Sequence, residues 1–297
     1  MIHNYRATKD IVAFSYTVNA LRSFFLNKGF VEMHTQDRLS ILAACEDPTT
    51  IATYHYTNTV WPLPQTGQMW LEYELLKNPA LPGVFCVSTS YRNEQNPIPG
   101  RHEIIFPMFE FEVKGEMDNL EALETELCEH LGFGTKKDFH YKEYDELAAY
   151  YKTSDLTSTN EMQMRSDFGP VVFLEHFPIS TSPFWNMRKN GGHANKIDVI
   201  LHGQETIGSA ERSSNTKEMR EQFHTISGGM YAQTLYDTFG KERVEKELEE
   251  FLSFNFFPRF GGGIGMTRMI RALREHGILE KRNDAQTMSF PEPVLVS

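Results

Sequence analysis

No stretch of about 18 consecutive apolar residues occurs in this chain, which argues against a membrane-spanning helix. The N-terminus, MIHNYRATKD, lacks the charged-then-apolar pattern of a secretory signal. Cysteine is scarce: Cys45, Cys86 and Cys128 are the three present, with no metal-ligand spacing. So small a set argues against a disulfide framework and against a cysteine-built zinc site, and it suits a reducing cytoplasm. Positive charge is also in deficit, with 29 Lys and Arg against 40 Asp and Glu, a net charge of -11. Residues 115–175 hold 14 acidic and 5 basic residues, so a local balance of -9 accounts for most of the excess. A surface of that sign repels phosphate backbones and disfavours broad electrostatic binding of nucleic acid, while a basic groove elsewhere stays open.

Apolar material for a core is ample, at 40% of 297 residues. No repeat, low-complexity tract or Pro/Gly/Ser-rich linker divides the chain, so residues 1–297 are expected to form one domain. Ile11, Phe14, Val18, Leu21 and Phe25 recur at steps of three and four, the stripe of an amphipathic helix ending near Gly29. Strands are predicted at 30–35, 84–91, 104–113 and 196–201, and helices at 120–131, 241–251 and 266–275. The glycines at 261, 262, 263 and 265 are expected to interrupt a strand before the last helix. Strands mixed with long helices, without regular alternation, predict an α+β fold with a mostly antiparallel sheet flanked by helices.

Three constellations carry chemistry. Arg92 and Glu94 precede a loop at 95–100, after which come Arg101, His102 and Phe106. Two facing strands joined by that loop put an arginine able to grip phosphate near an aromatic able to stack on a purine. An ordinary surface hairpin fits the same segment. The run Gly261-Gly262-Gly263-Ile264-Gly265-Met266-Thr267-Arg268 lets backbone approach a ligand at the positive end of a helix. It has no following Lys-Ser/Thr, so a P-loop is excluded, and tight helix-on-sheet packing explains the glycines equally well. Asp198 and Glu205 flank a turn at His202-Gly203, with Arg212 seven residues on. Hard oxygen ligands from adjacent strands suit magnesium held against a triphosphate, and exposed strand charges are the plainer alternative.

Taken in order, these segments resemble the motifs of class II aminoacyl-tRNA synthetases. The N-terminal helix with Gly29-Phe30-Val31-Glu32-Met33-His34-Thr35 is similar to the first motif, Arg92-Asn93-Glu94 to Phe106 to the second, and the glycine run with Arg268 to the third. The aspartyl/asparaginyl branch is the nearest in pattern. Thr66-Gly67-Gln68-Met69-Trp70-Leu71-Glu72 resembles the S-G-Q-L-Y-x-E signature of asparaginyl enzymes, and Pro183-Phe184-Trp185-Asn186-Met187 their P-F-Y-M stretch. Gly203-Gln204-Glu205-Thr206-Ile207-Gly208-Ser209-Ala210-Glu211-Arg212 is similar to G-x-E-I-x-G-G-x-x-R. The likeness spans about residues 10–291. Two departures stand out: Gln36 follows Thr35 where the first motif normally ends in proline, and only a short tail precedes residue 10, where the branch carries its anticodon-binding barrel.

The resemblance implies ATP and Mg2+ as cofactors. It implies that Arg92 binds the α-phosphate, Glu94 the adenine amino group, and Arg101 and His102 the outer phosphates. Phe106 would stack on adenine, with Arg268 over its other face or at the γ-phosphate. Asp198 and Glu205 would carry the metal. Gln68 with Glu46 would hold the substrate's α-amino group, Arg212 would read its side-chain end, and Glu72 stands where amide is told from acid. A homodimer through the first motif is implied. The missing barrel and the acidic balance favour a free-standing, asparagine synthetase-like ligase, and G-G-G-I-G at 261–265 resembles that enzyme type. The expectation is adenylation of aspartate or a close analogue and capture by ammonia or a similar nitrogen nucleophile. Aminoacylation of tRNA, a possible but disfavoured partner, is the first alternative, and an inactive regulatory paralogue the second.

Overall fold

The computed structural model describes residues 10–35, 39–41, 48–97, 103–181 and 183–279. Among them lie eleven strands: β1 (Val31–Glu32), β2 (Thr53–Tyr56), β3 (Thr59–Pro62), β4 (Gly83–Tyr91), β5 (Ile105–Lys114), β6 (His140–Glu143), β7 (Val171–Pro178), β8 (Lys189–Asn190), β9 (His193–Leu201), β10 (Gln204–Arg212) and β11 (Arg259–Gly265). The helices are α1 (Ile11–Asn27), α2 (Gln68–Lys77), α3 (Met117–Leu131), α4 (Tyr144–Tyr151), α5 (Ser158–Asp167), α6 (Thr216–Thr225), α7 (Met230–Phe239), α8 (Lys241–Leu252) and α9 (Met266–Glu275). One large sheet runs β1-β4-β5-β11-β10-β9-β7-β6, with β8 beside β9. Only the edge pairs β1–β4 and β6–β7 are parallel. The fold is therefore α+β on a mostly antiparallel sheet.

Local chemistry sets the elements. Asp10 caps α1 by accepting from Val12 N at 3.1 Å and Ala13 N at 2.9 Å. Gly29, at φ 79°, lets the chain turn out of the helix. The predicted strand at 30–35 shortens to Val31–Glu32, an edge with one neighbour. Phe25 buries its ring at 5.1 Å from Phe109, which in turn stacks on Phe85 at 5.2 Å. Full burial of such a ring stabilises the fold by about 1.5–3 kcal/mol. On the same sheet face α3 and α9 contribute Leu120, Leu127, Met266, Met269 and Leu273 to one core. A second core, on α6, α7 and α8, surrounds the buried Trp185.

The glycine run does not interrupt its strand. β11 continues through Gly265, paired on both sides by β10 and β5. A Cβ at Gly262 would lie 2.7 Å from Ser209 Cβ and 2.8 Å from the Phe111 ring, so glycine is required there by the neighbouring side chains.

The β9–β10 connection is a two-residue turn, with His202 at φ 50° and Gly203 at φ 78°. His202 is only 7% exposed and shares a hydrogen bond with His276, Nε2 to Nδ1, at 3.0 Å. Burial first, then the charges of Arg165 and His276, hold its pKa down to about 4. The unfolded chain, near 6.5, binds the extra proton earlier, so stability falls as pH drops from 6.5 towards 4. We expect about 2 kcal/mol to be lost from this residue between about pH 8 and about pH 5. His202→Asn, which tolerates the same φ, should flatten that acid limb in urea unfolding at the two pH values. An unchanged acid limb would assign the sensitivity elsewhere.

Candidate active site

The strand register builds a trough. One rung across four strands reads Glu110, Gly263, Gly208 and Asp198, and the next reads Glu112, Gly261, Ala210 and Lys196. Small residues in the middle, with charged residues at both sides, leave open space above β10 and β11. A cavity of about 590 Å³ lies there, lined by Gln68, Arg92, Glu94, Phe106, Lys196, Glu205, Arg212, Gly263, Gly265 and Arg268, among others.

Arg92 extends from the end of β4, where Tyr91, Arg92 and Asn93 donate their amides to Pro64, Ile104 and Thr50 carbonyls at 2.7–2.9 Å. Its guanidinium carbon lies 5.5 Å from the Phe106 ring centroid. The Arg92 Nε is buried and has no hydrogen-bond partner among the described residues. A buried N–H without an acceptor costs free energy, and an anion entering the cavity would supply one. Arg268 lies in the first turn of α9. Its Nη1 donates to the Glu205 carbonyl at 2.9 Å and lies 3.6 Å from the Glu205 carboxylate.

The carboxylates of Glu205 and Asp198 converge over Gly208. A Cβ there would stand 2.9 Å from Glu205 Oε1 and 3.6 Å from Asp198 Oδ1. Lys196 Nζ donates to both Asp198 oxygens, at 2.5 and 2.6 Å. Burial pushes the Asp198 carboxyl up to about 7 against the opposing pull of Lys196, with Glu205 adding to the rise. Two carboxylates over a bare glycine, beside that cavity, are hard oxygen donors of the kind that fit a magnesium ion.

Below the cavity lies a fully buried ionic lattice. Arg212 donates to the Gln68 amide oxygen, and its Nε is 3.3 Å from Glu112 Oε1. Arg259 Nη2 donates to Glu72 Oε2 at 2.6 Å, and Asn186 Nδ2 donates to Glu72 Oε1 at 2.7 Å. Burial pushes the Glu112 carboxyl up to about 7 despite Arg212. Glu110 is pushed up by burial as well, although the Ser88 and Thr66 hydroxyls and the Gly67 amide donate to it.

The structure thus brings together Arg92, Glu94, Phe106, Gln68, Glu205, Arg212 and Arg268, which the sequence scatters over 200 residues. Asp198 lies behind Lys196, at the edge of that group. Two placements differ from what the resemblance implies. Glu72 is enclosed between Arg259 and Asn186 and does not line the cavity, whereas Arg212, whose Nε is 3.8 Å from it, does. Gln68 uses its amide NH2 on the Phe111 and Gly262 carbonyls, at 3.2 and 3.1 Å, and its oxygen on Arg212. It positions that arginine, and a substrate ammonium, which only donates, would have to share the amide oxygen with it. Glu46, Arg101 and His102 lie outside the described residues.

Lys196, Glu110, Glu112 and Arg259 were not singled out in the sequence. The available signal was Phe109-Glu110-Phe111-Glu112: glutamates alternating with phenylalanines on a strand that turns out to be central, which puts both acids indoors.

A solved asparaginyl-tRNA synthetase from Pyrococcus horikoshii, complexed with asparaginyl-adenylate, shares this fold with a TM-score of 0.71 at 18% identity, covering 90% of this chain and 65% of that one. An aspartyl-tRNA synthetase from Entamoeba histolytica does so with a TM-score of 0.63 at 18% identity, covering 90% and 55%. In sequence, the chain is 24% identical to an aspartate–tRNA(Asp) ligase of Pyrobaculum aerophilum, over 89% of this chain and 64% of the relative. The chain therefore spans less than two thirds of each of these proteins. The family of class II tRNA synthetases (D, K and N) matches residues 1–281. With the match covering nearly the whole chain and the trough built as described, this protein belongs to the class II tRNA synthetase family of the D, K and N type.

Proposed function

We propose that the protein activates the carboxylate of aspartate or asparagine with ATP and transfers the aminoacyl group to tRNA. The observation that carries the activation step is the buried Nε of Arg92, without an acceptor among the described residues, beside Phe106 in one cavity with Arg268, Glu205 and Arg212.

A substrate carboxylate oxygen attacks the α-phosphorus, a phosphorus–oxygen bond forms, and the bond to pyrophosphate breaks. Arg92 faces the negative charge that builds on the phosphoryl oxygens, and Phe106 gives the purine a flat surface. Glu94, also lining the cavity, can accept from an exocyclic amine. Asp198 and Glu205 would hold Mg2+, which when bound neutralises phosphate charge. No general base is required, because the nucleophilic carboxylate is already ionised at neutral pH. Arg212, fixed by Gln68 and Glu112, meets the side-chain end of the amino acid. In the second step a hydroxyl of the tRNA acceptor end attacks the activated carbonyl, the bond from that carbonyl to the phosphate oxygen breaks, and AMP leaves with the electron pair, its phosphate taking up the hydroxyl proton.

The acceptor is where the comparisons shift the expectation. The barrel missing before residue 10, the acidic balance and the G-G-G-I-G likeness led towards ammonia, but the named relatives are tRNA ligases, which supports tRNA instead. Homodimer formation belongs to the same proposal: Leu26 and Val31, on α1 and β1, are 52% and 43% exposed at the sheet edge where the resemblance puts the interface. The test supplies labelled aspartate or asparagine, ATP and Mg2+ together with bulk tRNA and ammonium. Label made acid-precipitable by tRNA is the expected result. Free asparagine formed from aspartate, with no label on tRNA, would overturn the acceptor while leaving the activation step intact.

A further inference from the structure

Near the far edge of the sheet, β7 carries a bulge. Its pairing with β9 shifts between Glu175 and Phe177, and the inserted residue, His176, takes a left-handed φ of 54°. Such a bulge re-aims side chains, so consecutive residues can reach one spot. Here Glu175 and His176 meet Glu143, which lies opposite Glu175 on β6. His176 Nδ1 is 2.9 Å from Glu143 Oε2 and 3.1 Å from Oε1. One ligand atom from each of the three residues falls within 4.8 Å of the others, and no second group of this kind occurs among the described residues.

Glu175 gives the cluster its meaning. The residue is 8% exposed, and its Oε1 is buried without a hydrogen-bond partner among the described residues. A carboxyl oxygen held out of water without a donor is costly to ionise unless a cation reaches it. The neighbouring charges make matters worse, since Glu121 and Glu143 both bear on it and the opposing Lys136 already donates to Glu121 at 3.3 Å. This place is apart from the ATP cavity. Glu175 stands opposite Ile197, on the sheet face that α3 covers, while Leu174 stands opposite Asp198 on the cavity face.

We propose that Glu143, Glu175 and His176 bind a divalent transition-metal ion of the zinc type, at a site separate from the nucleotide magnesium. One imidazole nitrogen and two carboxylates are borderline-to-hard donors suited to zinc, manganese or cobalt, and the nitrogen selects against magnesium. Zinc bonds of about 2.0–2.2 Å put neighbouring ligand atoms roughly 3.3 Å apart, close to the His176–Glu143 separations already present. Glu143 and His176 remain 56% and 36% exposed, which leaves a path for the ion and room for water as a further ligand. A bound ion would add a tie between β6 and β7 across the parallel edge of the sheet, beside the Tyr141–Phe173 stack.

The full chain, free of any affinity tag, is dialysed against Zn2+ in excess Mg2+, and bound zinc is counted. One retained equivalent is expected, and Co2+ in its place should give the visible absorption of a nitrogen–oxygen site. H176N, which tolerates the left-handed φ, and E143Q, which changes an exposed carboxylate, should each weaken retention at least tenfold. E175Q should do the same, and the two exposed variants keep the test decisive if it folds poorly. Asp198→Asn should keep the equivalent. Absence of a retained zinc, or retention undiminished in H176N and E143Q, would overturn the site and reduce the cluster to a surface ion pair. Neither result bears on the activation chemistry.

Discussion

Arg92→Ala is expected to lower amino-acid-dependent pyrophosphate exchange by about a thousandfold while leaving the unfolding midpoint within experimental scatter. The asymmetry follows from what the side chain touches. Its Nε has no acceptor among the described residues, and its ring contact with Phe106 is at 5.5 Å, so truncation removes little from the folded chain. The backbone there is fixed independently, by amides given to Pro64, Ile104 and Thr50. What disappears is a preorganised cation facing the phosphoryl oxygens, worth roughly 3–4 kcal/mol in comparable sites. Arg92→Lys restores charge without the planar fork and should fall between the two. A folded Arg92→Ala protein with near-normal exchange would show that the phosphates bind elsewhere.

Arg259→Met should have the opposite profile, a large loss of stability from a residue that never meets the cavity. Arg259 is fully buried, gives two bonds to Glu72 at 2.6 and 3.2 Å, and a third to the Ser213 carbonyl at 3.1 Å. It joins the first residue of β11 to the middle of α2. Removing one partner of such a pair leaves an uncompensated carboxylate in the interior and typically costs about 3–5 kcal/mol. Combining it with Glu72→Gln should recover part of the loss, because the amide is neutral and still accepts from Asn186. Urea unfolding of the two single variants and the double closes the cycle. Equal stability of Arg259→Met and the parent would mean that the ion pair does not fasten α2 to the sheet.

The elements legible in the sequence were those with a strong local signature. Helix α1 follows from its apolar stripe and from Gly29, and β4 and β5 end within one residue of the predicted bounds. Helix α9 matches its prediction at both ends. The glycine run was ambiguous because glycine marks both broken strands and close packing. What decides it is Phe111 and Ser209 on neighbouring strands, too distant in sequence for any window to see. The same distance hid the ionic lattice. Glu112 meets Arg212 across 100 residues, and Glu72 meets Arg259 across 187. Read locally, Glu110 and Glu112 are the wet face of a half-buried strand; only the sheet order places β5 between β4 and β11 and turns them inward. Glu72 illustrates the limit of motif transfer, since its place in the signature was clear and its enclosure by Asn186 and Arg259 was not.

The most direct test of the account is exchange of radiolabelled pyrophosphate into ATP, run with the unaltered protein, Mg2+ and each standard amino acid in turn. Exchange should depend on aspartate or asparagine and vanish without the amino acid. No exchange with any of them, from protein that is folded and binds ATP, would contradict it and leave the trough as a nucleotide site without activation chemistry.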